Sequence, residues 1–521
     1  MHANPLPPTG ANVVSELAAM DNRPWYKKPN LRSLYVVLLP ACVGAEMTSA
    51  FDTNLMNGLQ ATSSWETCTL YHSPRPSLIG LMTAMYSLGA IFSLAIVPII
   101  VDRRGRRASI FFGCTLMLIG AILQGASLNL HVFIAARFIL GFGAPFSIVG
   151  SAFLIGELSH PKERAVMTCL FTGFFGVGSI LIAGISLGTY SMQSDWGWRI
   201  PSVLQATPSI VQLAFVLFVP ESPRWLVSKG RGTEAYAILV KCHAEGDAQS
   251  AFVKAQYVDI EKMLDEETRT GGRGWSELFS TPGMRKRAML AVFLGISVQW
   301  SGAGLIGSYL PRILDSVGIH DDTTKNRINL VHSCWGLLCA TTLALTMPRF
   351  KRRTVFLIGT TLTFLVMVGW TVATAEWTKS ENPTSAVVVL VFIFLFTPAC
   401  AMGFCTLVYA YLMELFPFRV RAKGLVLHTW FSRASVFLGQ IINPIGLNNA
   451  GWKYYLSYCL FLLFQIGFVY FTFPETAHRT LEELAFIYED GERAAGAISS
   501  EKACPDKPEV TEVVQVEILP Y

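Results

Sequence analysis

The chain has 521 residues, of which 52% are hydrophobic, 12% aromatic and only 15% charged, and its mean hydropathy is +0.43. That balance excludes an ordinary water-soluble globule and predicts a polytopic membrane protein. The formal charge of +5 is small, and the basic residues sit in short clusters between apolar runs, which argues against a nucleic-acid partner.

The first thirty residues hold no apolar core followed by a cleavage site, so no removable signal peptide is expected. Beyond them, runs of about 20 apolar residues predict twelve spans, at 34–57, 77–101, 108–127, 132–154, 166–190, 198–219, 288–309, 328–347, 355–375, 386–412, 424–446 and 452–473. An even count puts both termini on one side. The loops of that side carry "DRRGRR", "PKER", "RFKRR" and "RVRAK", whereas the opposite loops have scattered Arg75, Arg199, Arg312, Lys325, Arg327, Lys379 and Lys453. The Lys/Arg excess predicts cytoplasmic termini. The division that follows is an N-terminal segment 1–33, a six-helix bundle 34–219, a cytoplasmic helical linker 220–287, a second bundle 288–473 and a tail 474–521. Most of the eleven Cys lie inside apolar runs without metal-ligand spacing and read as small buried hydrophobes, so no metal site is expected.

The two sets of six spans carry matched punctuation about 250 residues apart, the kind of repeat that transporter folds show. "DRRGRR" (Asp102–Arg107) after span 2 is answered by "PRFKRR" (Pro348–Arg353) after span 8. Glu157 precedes Arg164 by seven residues, as Glu414 precedes Arg421. Spans 6 and 12 both run into Pro-Glu, at Glu221 and Glu475. The linker contains two helical stretches, "EAYAILVKCHAEGD" and "AFVKAQYVDIEKMLDEE".

Asp52, in "SAFDTNLMNG", is a carboxylate inside span 1, where an unpaired charge costs several kcal/mol. The helical rise puts it and Arg137 of span 4 in the same half of a core about 30 Å thick, so the two can meet. Arg433, in "TWFSRASVFLGQ", falls near the midplane of span 11. A guanidinium there is a candidate for binding a carboxylate or phosphate. Pairing with another acid such as Glu46 is the other reading. His332 and His428 also fall inside spans and are expected to be satisfied by hydrogen bonds. "GFGAPFSIVG" lacks both the Lys and the preceding strand of a phosphate-binding loop, and no cofactor or enzymatic activity is expected.

Taken in order, "FDTNLMNGLQ", "DRRGRR", "ARFILGFG", "GELSHPKER", "WGWRIPSVLQ", "PESPRWL", "QWSGAG", "ELFPFRVRAKG" and "PETAHRTLEE" resemble the sugar porter family of the major facilitator superfamily over about residues 34–485. "LMNGLQ", "HAEGD" and "QWSG" are most similar to its fungal lactose and hexose permease branch. The resemblance implies an all-α integral membrane protein of twelve helices in two six-helix bundles, with residence in the plasma membrane. It also implies that Asp52 carries the coupling proton with Arg137 as partner; a static structural pair is the other reading. By similarity, Asp102, Arg103, Arg107, Glu157, Arg164 and Glu221, with Arg353, Glu414, Arg421 and Glu475, form salt bridges between the bundles on the cytoplasmic side. The second copy departs from the pattern at Pro348 and Lys351. For the solute, Gln299, Tyr309 and Tyr409 match positions that line the site in relatives, while Thr172, Ala303, Gly304 and Gly336 stand where amides are usual.

The function expected is proton-coupled uptake of a sugar or sugar-like small molecule by a monomer, with protons and the lipid bilayer as its other partners. Two alternatives stay open. One is transport, inward or outward, of an organic acid or secondary metabolite through Arg433. The other is a non-transporting nutrient sensor, disfavoured by the short polar tail after Pro474.

Overall fold

A computed structural model of the chain describes residues 17, 20, 23–62, 65, 76–192, 194–269, 275–346, 350–405, 407–416 and 418–475. The predicted N-terminal segment lies mostly outside these residues, as does the tail beyond Glu475, which includes most of "PETAHRTLEE". Lipid offers backbone groups no hydrogen bonds, so the apolar runs fold as helices that satisfy their own. Among the described residues, ten helical stretches are long and apolar enough to cross a membrane. One of them, Lys423–Thr472, holds spans 11 and 12 on either side of a short turn at Gly451–Lys453. Span 6 is split into Trp196–Leu204 and Thr207–Val216, because Pro208 has no N–H to continue the helical ladder. The fold therefore has twelve spans.

Spans 1 to 5 are Pro29–Gln60, Pro76–Leu94 with its continuation Val97–Arg104, Arg106–Gly125, Leu130–Leu158 and Arg164–Thr189. Span 7 is Pro282–Trp300 continued by Ala303–Asp315, span 8 Asp322–Thr346, and span 9 Arg352–Ser380. Span 10 runs from Pro383–Cys400 through a π turn at Ala401–Cys405 to Val408–Leu415; spans 11 and 12 are Phe418–Ala450 and Tyr454–Thr472. Short helices at Pro223–Ser228, Gly232–His243 and Ala251–Arg269 form the linker. The break in span 7 falls at Gly302, with φ +108°. A Cβ there would also lie 2.7 Å from Met367 Cε. Only glycine tolerates both conditions.

Small residues set the packing inside each bundle. A Cβ on Gly141 would come within 1.9 Å of Tyr86 O, and one on Gly89 within 2.3 Å of Phe138 O, so spans 2 and 4 touch backbone to backbone. Spans 9 and 10 touch in the same way where Gly359 meets Gly403.

Three helix pairs carry the packing between bundles: spans 2 with 11, 5 with 8, and 1 with 7. The hydrogen bonds described across this seam lie toward the side remote from the linker. Asn57 donates to Ile306 O and Gly307 O and accepts from Leu310 N. Gln60 donates to Ser308 O and accepts from Arg312. Ser87 donates to Gln440 Oε1 at 2.7 Å, and Tyr190 meets Thr323.

The linker is tied to both bundles: Glu277 meets Lys423 of span 11 at 3.0 Å, and Glu245 and His243 hold it to the first bundle. Glu245 accepts from the N–H groups of Asn30 and Leu31, both at 3.0 Å, and so caps the start of span 1. His243 is buried, with Nδ1 2.9 Å from Gln256 Oε1 and Nε2 3.2 Å from Leu158 O at the end of span 4.

Candidate functional site: a buried ion pair and a charged mid-membrane level

The close approach of spans 2 and 4 at Gly141 places Arg137, one turn earlier, beside Met82, one turn before Tyr86. Span 1 delivers Asp52 to the same point, since Gly178 of span 5 lets the Met47 backbone come near. Arg137 Nη1 donates to Asp52 Oδ1 at 2.6 Å and Nε donates to Met82 O at 3.3 Å. The guanidinium lies over the Tyr86 ring, 5.8 Å from its centroid. Asp52 is 3% exposed and Arg137 1%. Each charge is tolerable at this depth because the other is there.

Toward the linker from this pair lies a second level of polar groups. Glu46 on span 1, Gln299 on span 7 and Arg433 on span 11 are half-buried. Their side chains make no hydrogen bond or salt bridge to a described residue. Arg433 is within electrostatic reach of Glu46, Asp52 and Tyr409. Tyr409 is 57% exposed and packs edge-on against the His428 ring. Thr172 is exposed and returns its hydroxyl to the carbonyl oxygens of Thr168 and Cys169. His428 is held at Ala291 O and His332 at Thr397 Oγ1; both imidazoles are hydrogen-bonded, as expected.

Tyr309 is elsewhere. Its side chain is fully buried and its hydroxyl donates to Gln440 O at 2.6 Å, so it belongs to the closed seam and lines no open site in this conformation.

The charge clusters on the linker side also differ from the expectation of bridges between bundles. In the first bundle Arg106 grips Glu157 with Nε and Nη2, at 3.0 and 3.1 Å. Glu221 accepts from the backbone N–H groups of Arg106 and Arg107, capping span 3. Arg107 turns back to Val216 O and Leu217 O. The second bundle repeats this. Arg352 meets Glu414 at 3.1 Å, Glu475 accepts from the N–H groups of Arg352 and Arg353, and Arg353 reaches Tyr470 O. These pairs tie helices within one bundle. Asp102 and Arg103 point to solvent; the Asp102 carbonyl accepts from Trp225. Arg164 is partly buried at the start of span 5, and Arg421 Nε donates to Phe416 O at 3.4 Å.

The degenerate second copy keeps its geometry. Gly105 has φ +95°, and a Cβ there would lie 2.5 Å from Glu221 Oε2, whereas Lys351 at the matching place is extended, with φ −61° and ψ 129°. A non-glycine residue is admitted because the chain enters span 9 differently while the cap is retained. Sequence reasoning missed Arg106 and Arg352 as the gripping residues. It also missed Asn57, Gln60, Ser87 and Gln440 as the seam. The signal for Asn57 and Gln60 was present in their three-residue spacing, which puts both amides on one face of span 1.

The match with a family model described as "Sugar (and other) transporter" covers residues 37–488. A high-affinity glucose transporter of Kluyveromyces lactis is 28% identical over 498 residues, covering 89% of this chain and 87% of that protein. The MFS-type transporter oryC of Aspergillus oryzae is 27% identical over 477 residues, covering 90% and 88%. Among solved structures, the inward-open xylose transporter XylE of E. coli aligns with a TM-score of 0.71 at 22% identity, over 88% of this chain and all of that one. With two six-helix bundles and a family match over most of its length, the chain belongs to the sugar (and other) transporter family, the sugar porters of the major facilitator superfamily, and is a multi-pass membrane transporter rather than an enzyme.

Proposed function

We propose that the chain moves a sugar or sugar-like solute by alternating access, as a monomer in the plasma membrane, and that it couples this movement to protons through Asp52. The observation that carries the coupling is the 2.6 Å contact between Asp52 and Arg137, sealed in the first bundle next to the seam. A proton on Asp52 removes the charge that holds Arg137, leaving the guanidinium to Met82 O and Tyr86. The two bonding states of Arg137 give spans 1, 2 and 4 two preferred packings, and span 1 and span 2 both touch the second bundle. One described relative of this fold is a D-xylose–proton symporter.

The Lys/Arg excess assigns the linker side and both termini to the cytoplasm. The hydrogen-bonded seam then lies on the outer side, and the conformation is the one that gives the solute access from the cytoplasm. The charge clusters at Arg106–Glu157 and Arg352–Glu414 are, on this reading, the groups that exchange partners between bundles when the outer side opens. A second reading, transport of an organic acid or secondary metabolite, is favoured by Arg433.

The test is uptake into proteoliposomes of labelled glucose, xylose and lactose, with and without an inward proton gradient. Saturable, gradient-stimulated uptake of at least one is expected. Saturable uptake that ignores the gradient would leave a facilitative carrier, and no uptake of any would remove the sugar assignment.

A further inference from the structure

The seam fixes the relative height of the two bundles. Asp52 and its partner Arg137 lie beside Met82 and Tyr86 of span 2, and the adjoining Ser87 bonds Gln440 of span 11. Glu46 is six residues back toward the linker from Asp52, and Arg433 is seven residues back from Gln440. At 1.5 Å per residue those steps are about 9 and about 10 Å, so an acid of the first bundle and a base of the second both stand on the linker side of the Asp52–Arg137 pair, within electrostatic reach of each other. Gln299 joins them. A Cβ on Gly295 would lie 2.7 Å from His428 O and 3.0 Å from Ser432 N, and Gln299 is one turn beyond Gly295 in a helix running parallel to span 11.

All three side chains are without a hydrogen bond or ion pair to a described residue, at a depth where an unsatisfied charge is costly. Glu46 and Arg433 are close enough to feel each other but are not joined. An opposite pair held apart between the bundles, with an amide on the neighbouring helix, is arranged to be completed by a third body.

We propose that Glu46, Gln299 and Arg433 form the solute site and that the solute is a polyhydroxylated carboxylate. Its carboxylate meets the Arg433 guanidinium, which presents paired N–H donors to such a group. Its hydroxyls donate to Glu46 and exchange hydrogen bonds with Gln299, and Tyr409 offers the ring of its sugar-like body an apolar face. This fits the loss of amides at Thr172, Ala303, Gly304 and Gly336: a charged anchor replaces several neutral contacts. The proposal rests on the transport reading and narrows its substrate.

Equilibrium binding to the purified, detergent-solubilised full chain tests it, with glucuronate and glucose as probes. Glucuronate is expected to bind at least tenfold more tightly than glucose. Arg433→Gln should remove that preference, and Arg433→Lys should restore part of it. Glu46→Gln should weaken both probes. Equal or tighter binding of glucose, no binding of either probe, or unchanged glucuronate binding by Arg433→Gln would overturn the proposal. The ligand-free melting temperature of each variant separates loss of the site from loss of the fold. Gradient-driven glucose uptake without glucuronate binding would sink this inference and leave the transport reading standing.

Discussion

Arg137 and Asp52 are each other's counter-ion: one N–H···O contact of 2.6 Å joins them, and neither has appreciable access to solvent. Removing only the base leaves a carboxylate stranded in an apolar bundle, whereas removing both charges leaves none. Arg137→Leu is therefore expected to lower stability by about 3 kcal/mol or more. The double variant Asp52→Asn with Arg137→Gln should melt nearer the native protein. Thermal unfolding of the three purified proteins checks this ordering, and a double variant less stable than Arg137→Leu would contradict it.

The contact of spans 2 and 4 makes a second prediction. Gly141→Ala puts a methyl where Tyr86 O stands, so the helices must separate and Arg137 must shift relative to Asp52. Transport should fall at least tenfold. Gly184→Ala on span 5 adds a methyl to open space and should leave transport within about twofold, since helix propensity if anything gains. Parallel uptake measurements on the two variants test the contrast.

The matched caps at Glu221 and Glu475 predict matched costs. Each carboxylate accepts from two N–H groups at the start of a span, and the Gln substitution keeps the shape but loses the charge. Each of Glu221→Gln and Glu475→Gln should cost about 1–2 kcal/mol. Because the sites lie in different bundles, the two losses should add. Melting of single and double variants measures this.

How much of this was legible in the sequence depends on the kind of feature. Asp52 and Arg137 could be brought together because depth along a helix is simple arithmetic and a charge in oil needs a partner. Depth says nothing of which face a residue occupies, and so Tyr309 looked available when it is sealed against Gln440. Adjacent arginines are equivalent in sequence, yet the turn at Gly105 decides that Arg106 grips Glu157 while Arg107 turns to Val216 and Leu217. Twelve spans were readable as apolar runs even though Pro208 splits one of them. Asn57 and Gln60 were not singled out: their spacing puts both amides on one face of span 1, but nothing local records that a second bundle closes over that face.

Outside the spans, His243 gives a pH dependence. It is buried at the end of span 4, and burial lowers its pKa from 6.5, so the folded state holds it neutral. His160, whose ring is 5.4 Å away, faces it, along with Phe252 and Gln256, and Arg164 and Lys28 add positive charge nearby. The unfolded chain binds the proton more readily. The contribution of this group is therefore complete above about pH 6.5 and is lost as pH falls below that value. Melting temperature between pH 7.5 and 5.5 should drop for the native protein and drop less for His243→Gln.

The most direct measurement of the coupling claim is solute accumulation in proteoliposomes driven by an imposed proton gradient, compared for the native chain and Asp52→Asn with labelled glucose and glucuronate. The native chain should concentrate at least one of them above its equilibrium level. Asp52→Asn should exchange the same solute across the membrane without concentrating it. Accumulation by Asp52→Asn to the native level would show that the proton travels elsewhere, and the role assigned to the Asp52–Arg137 pair would be wrong.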